Sequence, residues 1–281
     1  MKLNFNTCMA KNSLKLGVAF AMLGSACAAQ DVTEQIGVKK IELLQGWRTA
    51  TGTHMAAVHI TLKDGWKTYW RAPSGNGIPP YFNWEGSENL SSVEFHWPAP
   101  KLFTQFGINT IGYSSELILP IEIKPTTDGL PVTLKAQVDY GVCNEVCVPV
   151  TSNIETKLSV DKSANRTEIE NALAARPRTA VESYVQTVSC QISSIEGGKS
   201  IIASIAFKDK APKVQQTVFE YPGSDIWVEQ VELENTGNSI VAQAKLVSYS
   251  NTPLELDQNA LRMTLIGKNQ SIEINGCATP S

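Results

Sequence analysis

The run Asp139-Tyr140-Gly141-Val142-Cys143-Asn144-Glu145-Val146-Cys147-Val148-Pro149 constrains this chain more than any other stretch, because its two cysteines close one strand-like segment and open another. Val132, Leu134, Ala136, Val138 and Tyr140 alternate with more polar neighbours ahead of it. That is the period of a half-buried strand and not of a helix. Fully extended, four residue steps set two Cα atoms about 13 Å apart, whereas a disulfide needs about 5.5 Å. The pair can bond only if the chain bends at Asn144-Glu145.

Whether the thiols bond depends on the compartment. Lys2, Lys11 and Lys15 precede an apolar run from Leu16 to Leu23 and the small residues Gly24, Ser25, Ala26, Cys27, Ala28 and Ala29. This is the layout of a secretory signal peptide, residues 1–29, cut near Ala28 or Ala29. The apolar run is too short to span a bilayer, so no transmembrane segment is expected. Cys27 raises lipidation as an alternative, although the usual pattern wants Leu three places before the cysteine and Gly24 stands there. Export leaves Cys143, Cys147, Cys190 and Cys277, an even number for which three pairings exist. Local spacing favours Cys143 with Cys147, leaving Cys190 with Cys277. A loop of about 88 residues closed by the second bridge stabilises by up to about 4.5 kcal/mol in the chain-entropy model, against about 2 kcal/mol for a five-residue loop. The long bridge therefore looks structural and the short one looks like chemistry.

With 281 residues, 42% of them hydrophobic and 18% charged, the chain can build two domains with their own cores. Its net charge of -3 and the lack of a Lys/Arg cluster interleaved with aromatics set nucleic acid aside. Strand patterns run from Val38 to Leu44, Met55 to Leu62, Tyr81 to Trp84, Ser92 to Trp97, Leu117 to Ile123 and Val132 to Tyr140. Many short strands without a long helical period predict an all-β, immunoglobulin-like antiparallel sandwich over residues 30–160. Residues 161–183 read as a linker with a short helix, in which Thr167 and Glu170 have capping-box spacing and Ile169, Leu173 and Ala174 share a face before Pro177. Hairpin signals at Gly197-Gly198, Thr236-Gly237-Asn238 and Lys268-Asn269 then predict a second, smaller β-sandwich over residues 184–281. The bridge Cys190–Cys277 would tie its terminal strands together.

Thiol–disulfide exchange needs a thiolate attacking a disulfide in line. The sequence around Cys143 offers no cation to favour a thiolate, while Glu145 and Asp139 disfavour one. Such a pair is a poor attacker and a suitable target for a partner's thiolate. The bland alternative is a structural hairpin disulfide.

Three segments carry a family resemblance: Asp64-Gly65-Trp66-Lys67-Thr68-Tyr69-Trp70, Thr110-Ile111-Gly112-Tyr113 followed by Leu117 to Ile121, and Tyr140-Gly141-Val142-Cys143 to Cys147-Val148-Pro149. In this order they resemble the periplasmic N-terminal domain of the DsbD thiol:disulfide interchange protein, over about Val38 to Val150. The chain is also similar to the longer exported part of suppressor-of-copper-sensitivity protein B. The resemblance implies an immunoglobulin-like domain whose pair, Cys143 and Cys147, shuttles electrons between a membrane-embedded reductase and periplasmic thioredoxin-like proteins, as in cytochrome c biogenesis. It implies a cap loop at about Phe106 to Tyr113, with Phe103, Phe106, Ile111 and Tyr113 as shielding residues. It also favours Cys147 as the sulfur that forms the mixed disulfide. The cysteine spacing here is shorter than in DsbD, and the transmembrane and thioredoxin-like parts of DsbD have no counterpart, so a separate membrane-embedded electron donor is expected.

No cofactor or metal is expected. His54, His59 and His96 do not form a zinc pattern with the cysteines, and a copper site from His54, Met55 and the thiols needs a convergence that spacing does not supply. Trp66, Tyr69, Trp70, Trp84 and Trp97 read as core packing. The Pro73 to Pro80 loop reads as a surface connection. The alternative to a relay is a non-catalytic exported adaptor whose disulfides are both structural.

Overall fold

The computed structural model describes residues 36–73, 77–105, 108–160, 163–222, 226–249 and 254–277. The signal-peptide reading with Cys27, the candidate Phe106 and part of the Pro73 to Pro80 loop lie outside them.

The first ten strands are β1 (Val38–Arg48), β2 (His54–Leu62), β3 (Lys67–Tyr69), β4 (Tyr81–Asn83), β5 (Leu90–Phe95), β6 (Lys101–Gln105), β7 (Ile108–Ser114), β8 (Glu116–Pro125), β9 (Val132–Cys143) and β10 (Cys147–Leu158). They form two antiparallel sheets, β1-β2-β8-β5 and β10-β9-β3-β7-β6, with β4 also paired to β9. The alternation read in β9 is the reason they stack. Val132, Leu134, Ala136, Val138, Tyr140 and Val142 all enter one core with Val58, Ile60, Leu119 and Ile121 of the facing sheet. Burying such side chains stabilises by about 1.5–3 kcal/mol each.

Strand β2 is buried on both faces, because α1 (Arg166–Ala174) covers its outer side. There Ile169 packs with Leu44, Met55 and Ala57. The expected capping box is not formed: the N-cap is Asn165 in left-handed backbone, φ 52°, with no side-chain cap, and Thr167 already lies in the first turn. Ala172, not Ala174, shares the buried face with Ile169, and Leu173 packs partly against it. Packing sets the helix start, helped by the Arg166 guanidinium 4.1 Å from the Trp47 ring centroid and its 3.0 Å pair with Glu170. The segment between the sandwiches thus lies against the first one.

The remaining strands are β11 (Arg178–Thr179), β12 (Val185–Ile195), β13 (Gly198–Phe207), β14 (Val214–Glu220), β15 (Ile226–Thr236), β16 (Ser239–Ser248), β17 (Arg262–Gly267) and β18 (Ser271–Asn275). They build the sheets β11-β18-β17-β14 and β12-β13-β16-β15 around a second core that includes Ile201, Ile205, Ala242, Leu246, Met263 and Ile272. The three expected hairpins are β12–β13, β15–β16 and β17–β18. Cys190 in β12 bonds Cys277, which follows β18, so the bridge joins the two facing sheets of this sandwich. Among the described residues no helix is long and apolar enough to cross a membrane.

Candidate functional site

Cys143 ends β9 and Cys147 begins β10, directly opposite each other in the antiparallel register and bonded, with Cα atoms 4.1 Å apart. The bend falls at Asn144 to Val146, where the Asn144 N–H donates to the Val146 carbonyl at 3.1 Å. Because Val138, Tyr140 and Val142 fill the core, Asp139, Gly141 and Cys143 lie on the outer face of the larger sheet. Cys147 is exposed and Cys143 half-buried.

Strand β3 completes the site from the side. Thr68 pairs with Val142 and Lys67 with Cys143, so Lys67 and Tyr69 share the cysteines' face. The Tyr69 hydroxyl lies 2.9 Å from Cys147 Sγ and 3.1 Å from Cys143 Sγ. A bonded sulfur carries no proton, so the hydroxyl is the donor. Tyr69 is only 1% exposed, and burial raises its pKa, so it stays protonated at neutral pH. Two glycines make room for the ring. A Cβ on Gly141 would fall 2.7 Å from Tyr69 Cε2, and one on Gly77 2.5 Å from Tyr69 Cδ1. The Gly141 N–H donates to the Ile78 carbonyl at 3.0 Å, so the described part of the Pro73 to Pro80 loop flanks the site and is more than a surface connection.

Charge here differs from the local sequence reading. No cation is near in sequence, but sheet pairing sets Lys67 across from Cys143, with its ammonium 5.5 Å from the Phe103 ring centroid. A lysine beside a thiol favours the thiolate. Asp139 accepts hydrogen bonds from Thr151 Oγ1 and Gln137 Nε2, which hold its carboxyl below the usual range, and Glu145 is exposed in the turn.

Of the expected shielding residues, Phe103 is half-buried and shares the outer face through Lys67. Ile111 and Tyr113 instead have their side chains in the core, where the Tyr113 hydroxyl donates to the Pro98 carbonyl at 2.8 Å. The expected cap loop is, in its described part, strand β7 paired with β6. Tyr69, read from sequence as packing, is the residue that reasoning missed. Its signal was the parity shared by Lys67 and Tyr69 and the glycine two places before Cys143. Trp70 and Trp97 are in the core, with Trp66 and Trp84 packed against it.

His54 and Met55 stand on β2 of the other sheet, and the His54 ring meets the Gln45 carbonyl at 2.7 Å. No group of three or more His, Cys, Asp or Glu converges as a metal site among the described residues.

The first ten strands thus make a β-sandwich with a two-cysteine turn on the outer face of its larger sheet. Residues 41–159 match the family model of the N-terminal part of thiol:disulfide interchange protein DsbD, which bears out the resemblance read from the sequence. The whole arrangement is similar to the crystal structure of the N-terminal periplasmic domain of ScsB from Proteus mirabilis, with TM-score 0.62 at 20% identity, covering 89% of this chain and 96% of that one. At that identity the likeness shows the fold. Among curated proteins no match is found.

Proposed function

We propose that this chain is an exported, periplasmic thiol–disulfide relay in which Cys143 and Cys147 pass reducing equivalents between a membrane-embedded electron donor and thioredoxin-like proteins. The observation that carries the reading is the Tyr69 hydroxyl within hydrogen-bond reach of both sulfurs of an exposed turn disulfide. A purely structural bridge has no use for a buried donor aimed at its sulfurs.

Accessibility sets the order of events. A partner thiolate attacks exposed Cys147 Sγ in line with the bridge; the new sulfur–sulfur bond forms as the Cys143–Cys147 bond breaks. Cys143 leaves as a thiolate, stabilised by the Tyr69 hydroxyl and by Lys67 across the strand pair. The partner's second thiolate then attacks its own bonded sulfur and releases Cys147. Two electrons have moved from the partner dithiol to this pair, and the partner's two protons end on Cys143 and Cys147. The reverse sequence hands the electrons on.

Titration of the purified protein against a dithiothreitol or glutathione series tests this. A relay pair is reduced without unfolding, at a potential well above about -300 mV. If Cys143 and Cys147 resist reduction until the fold melts, the chain is instead an adaptor with two structural bridges.

A further inference from the structure

Two residues after Tyr69 the chain meets the second sandwich. Arg71 Nε donates to Glu220 Oε1 at 2.8 Å, and its Nη2 donates to Glu220 Oε2 at 2.9 Å and to Glu273 Oε2 at 2.7 Å. Glu220 ends β14 and Glu273 lies in β18, two strands of one sheet separated by β17. The guanidinium also lies 4.4 Å from the centroid of the fully buried Trp70 ring. Its side chain is 15% exposed, and those of the two glutamates 20% and 26%. Val218 of β14 and Ile266 of β17 enter the first sandwich's core, so apolar contact accompanies the ion cluster.

A half-buried cation held by two carboxylates is weak as a source of stability, because desolvation offsets most of the attraction. It is strong as a geometric constraint, since the planar guanidinium can donate to two carboxylates in few orientations. The constraint falls where the site needs one. Strand β3 has only three residues, and Tyr69 is the last of them. Its hydroxyl reaches the sulfurs from the end of a long side chain, and a shift of about 1 Å in the strand end would take those contacts out of hydrogen-bond range.

We propose that Arg71 is a positioning residue for the cysteine pair: by pinning the end of β3 to Glu220 and Glu273 of the second sandwich, it holds the Tyr69 hydroxyl on the Cys143 and Cys147 sulfurs. The second sandwich, whose described residues make no hydrogen bond to the sulfurs, then acts on the exchange chemistry through this link. The inference rests on the thiol–disulfide reading above and deepens it.

A double-mutant cycle on the full chain tests it. The rate of reduction of the Cys143–Cys147 bridge by dithiothreitol is followed by alkylation and mass measurement of the peptide that holds both cysteines. Tyr69→Phe is expected to slow reduction about tenfold, the loss of one hydrogen bond to a charged leaving group. Arg71→Gln is expected to slow it several-fold, and the double variant to be no slower than Tyr69→Phe alone. The proposal is overturned if Arg71→Gln reacts as fast as the wild type, or if the two effects multiply. Should thermal melting show Arg71→Gln unfolded, Glu273→Gln keeps the bidentate Glu220 pair and reads the same link; an equal slowing with and without the Tyr69 hydroxyl overturns the proposal there too. A wild-type bridge that resists reduction altogether defeats the relay reading, an outcome distinct from variants that match a reducible wild type.

Discussion

The molecule holds two disulfides that share a bond and little else. Cys143–Cys147 closes a turn within one sheet, four residues apart, with Cys147 exposed. Cys190–Cys277 spans 87 residues and joins two facing sheets, with Cys277 9% exposed against the second core. Chain entropy favours the long bridge as a stabiliser, because it restricts a far larger part of the unfolded chain. Access favours the short one as a reactant, because exchange needs an attacking sulfur in line with the bond. Loop length and exposure, and not the bond, divide the two roles.

Removing each bridge in turn is the strongest way to break this comparison. Cys190→Ala with Cys277→Ala is expected to lower unfolding free energy by up to about 4.5 kcal/mol, and Cys143→Ala with Cys147→Ala by about 2 kcal/mol or less. Urea unfolding measures both, and equal losses would end the distinction. Gly141→Ala comes next. Its Cβ would meet the Tyr69 ring and Ile78 Cβ within 2.8 Å. Overpacking of this kind costs about 1–3 kcal/mol, and displacement of the hydroxyl slows reduction of the short bridge while the long one is unaffected. A variant with wild-type reduction kinetics would show that the ring is not held by this glycine.

Lys67→Gln sharpens the electrostatic side. It is expected to slow reduction at neutral pH about threefold, with the gap to wild type narrowing as salt screens the charge. A salt-independent gap would point to packing on Phe103 instead.

The smallest effect concerns pH. Desolvation lowers the His54 pKa in the folded chain despite the Gln45 carbonyl. The unfolded chain therefore binds the proton more readily, and stability is full above the unfolded value of about 6.5 and falls as pH drops below it. His54 lies in the first sandwich, so amide exchange should rise there before it rises in the second, which the long bridge ties. Equal acid sensitivity of both would remove His54 as the cause.

Much of the fold is legible in alternation. Strands β2, β8 and β9 and the hairpins of the second sandwich lie within a few residues of where pattern and turn signals put them. Short strands and the far ends of polar ones escape the pattern for physical reasons. Strand β3 has three residues, too few to show a period; β10, whose opening at Cys147 is legible, carries polar residues such as Thr151, Asn153 and Glu155 on its outer face, which hide how far it runs. The resemblance implies a cap loop at about Phe106 to Tyr113, yet its described part belongs to β7, for which β6 supplies the backbone partners. The helix cap failed because burial of Ile169 and Ala172 outweighs a capping preference worth about 1 kcal/mol.

The sequence by itself determined the all-β class, the bend between Cys143 and Cys147 and the favoured pairing of the four cysteines, because period and spacing are local quantities. Only the tertiary structure decided what surrounds the short bridge. Tyr69 stands 74 residues from Cys143, Lys67 meets that cysteine through strand pairing, and Arg71 meets Glu220 from 149 residues away. Alternation tells which two faces a strand has; it does not tell which distant strand lies beside it, and the chemistry of this site is made of those neighbours.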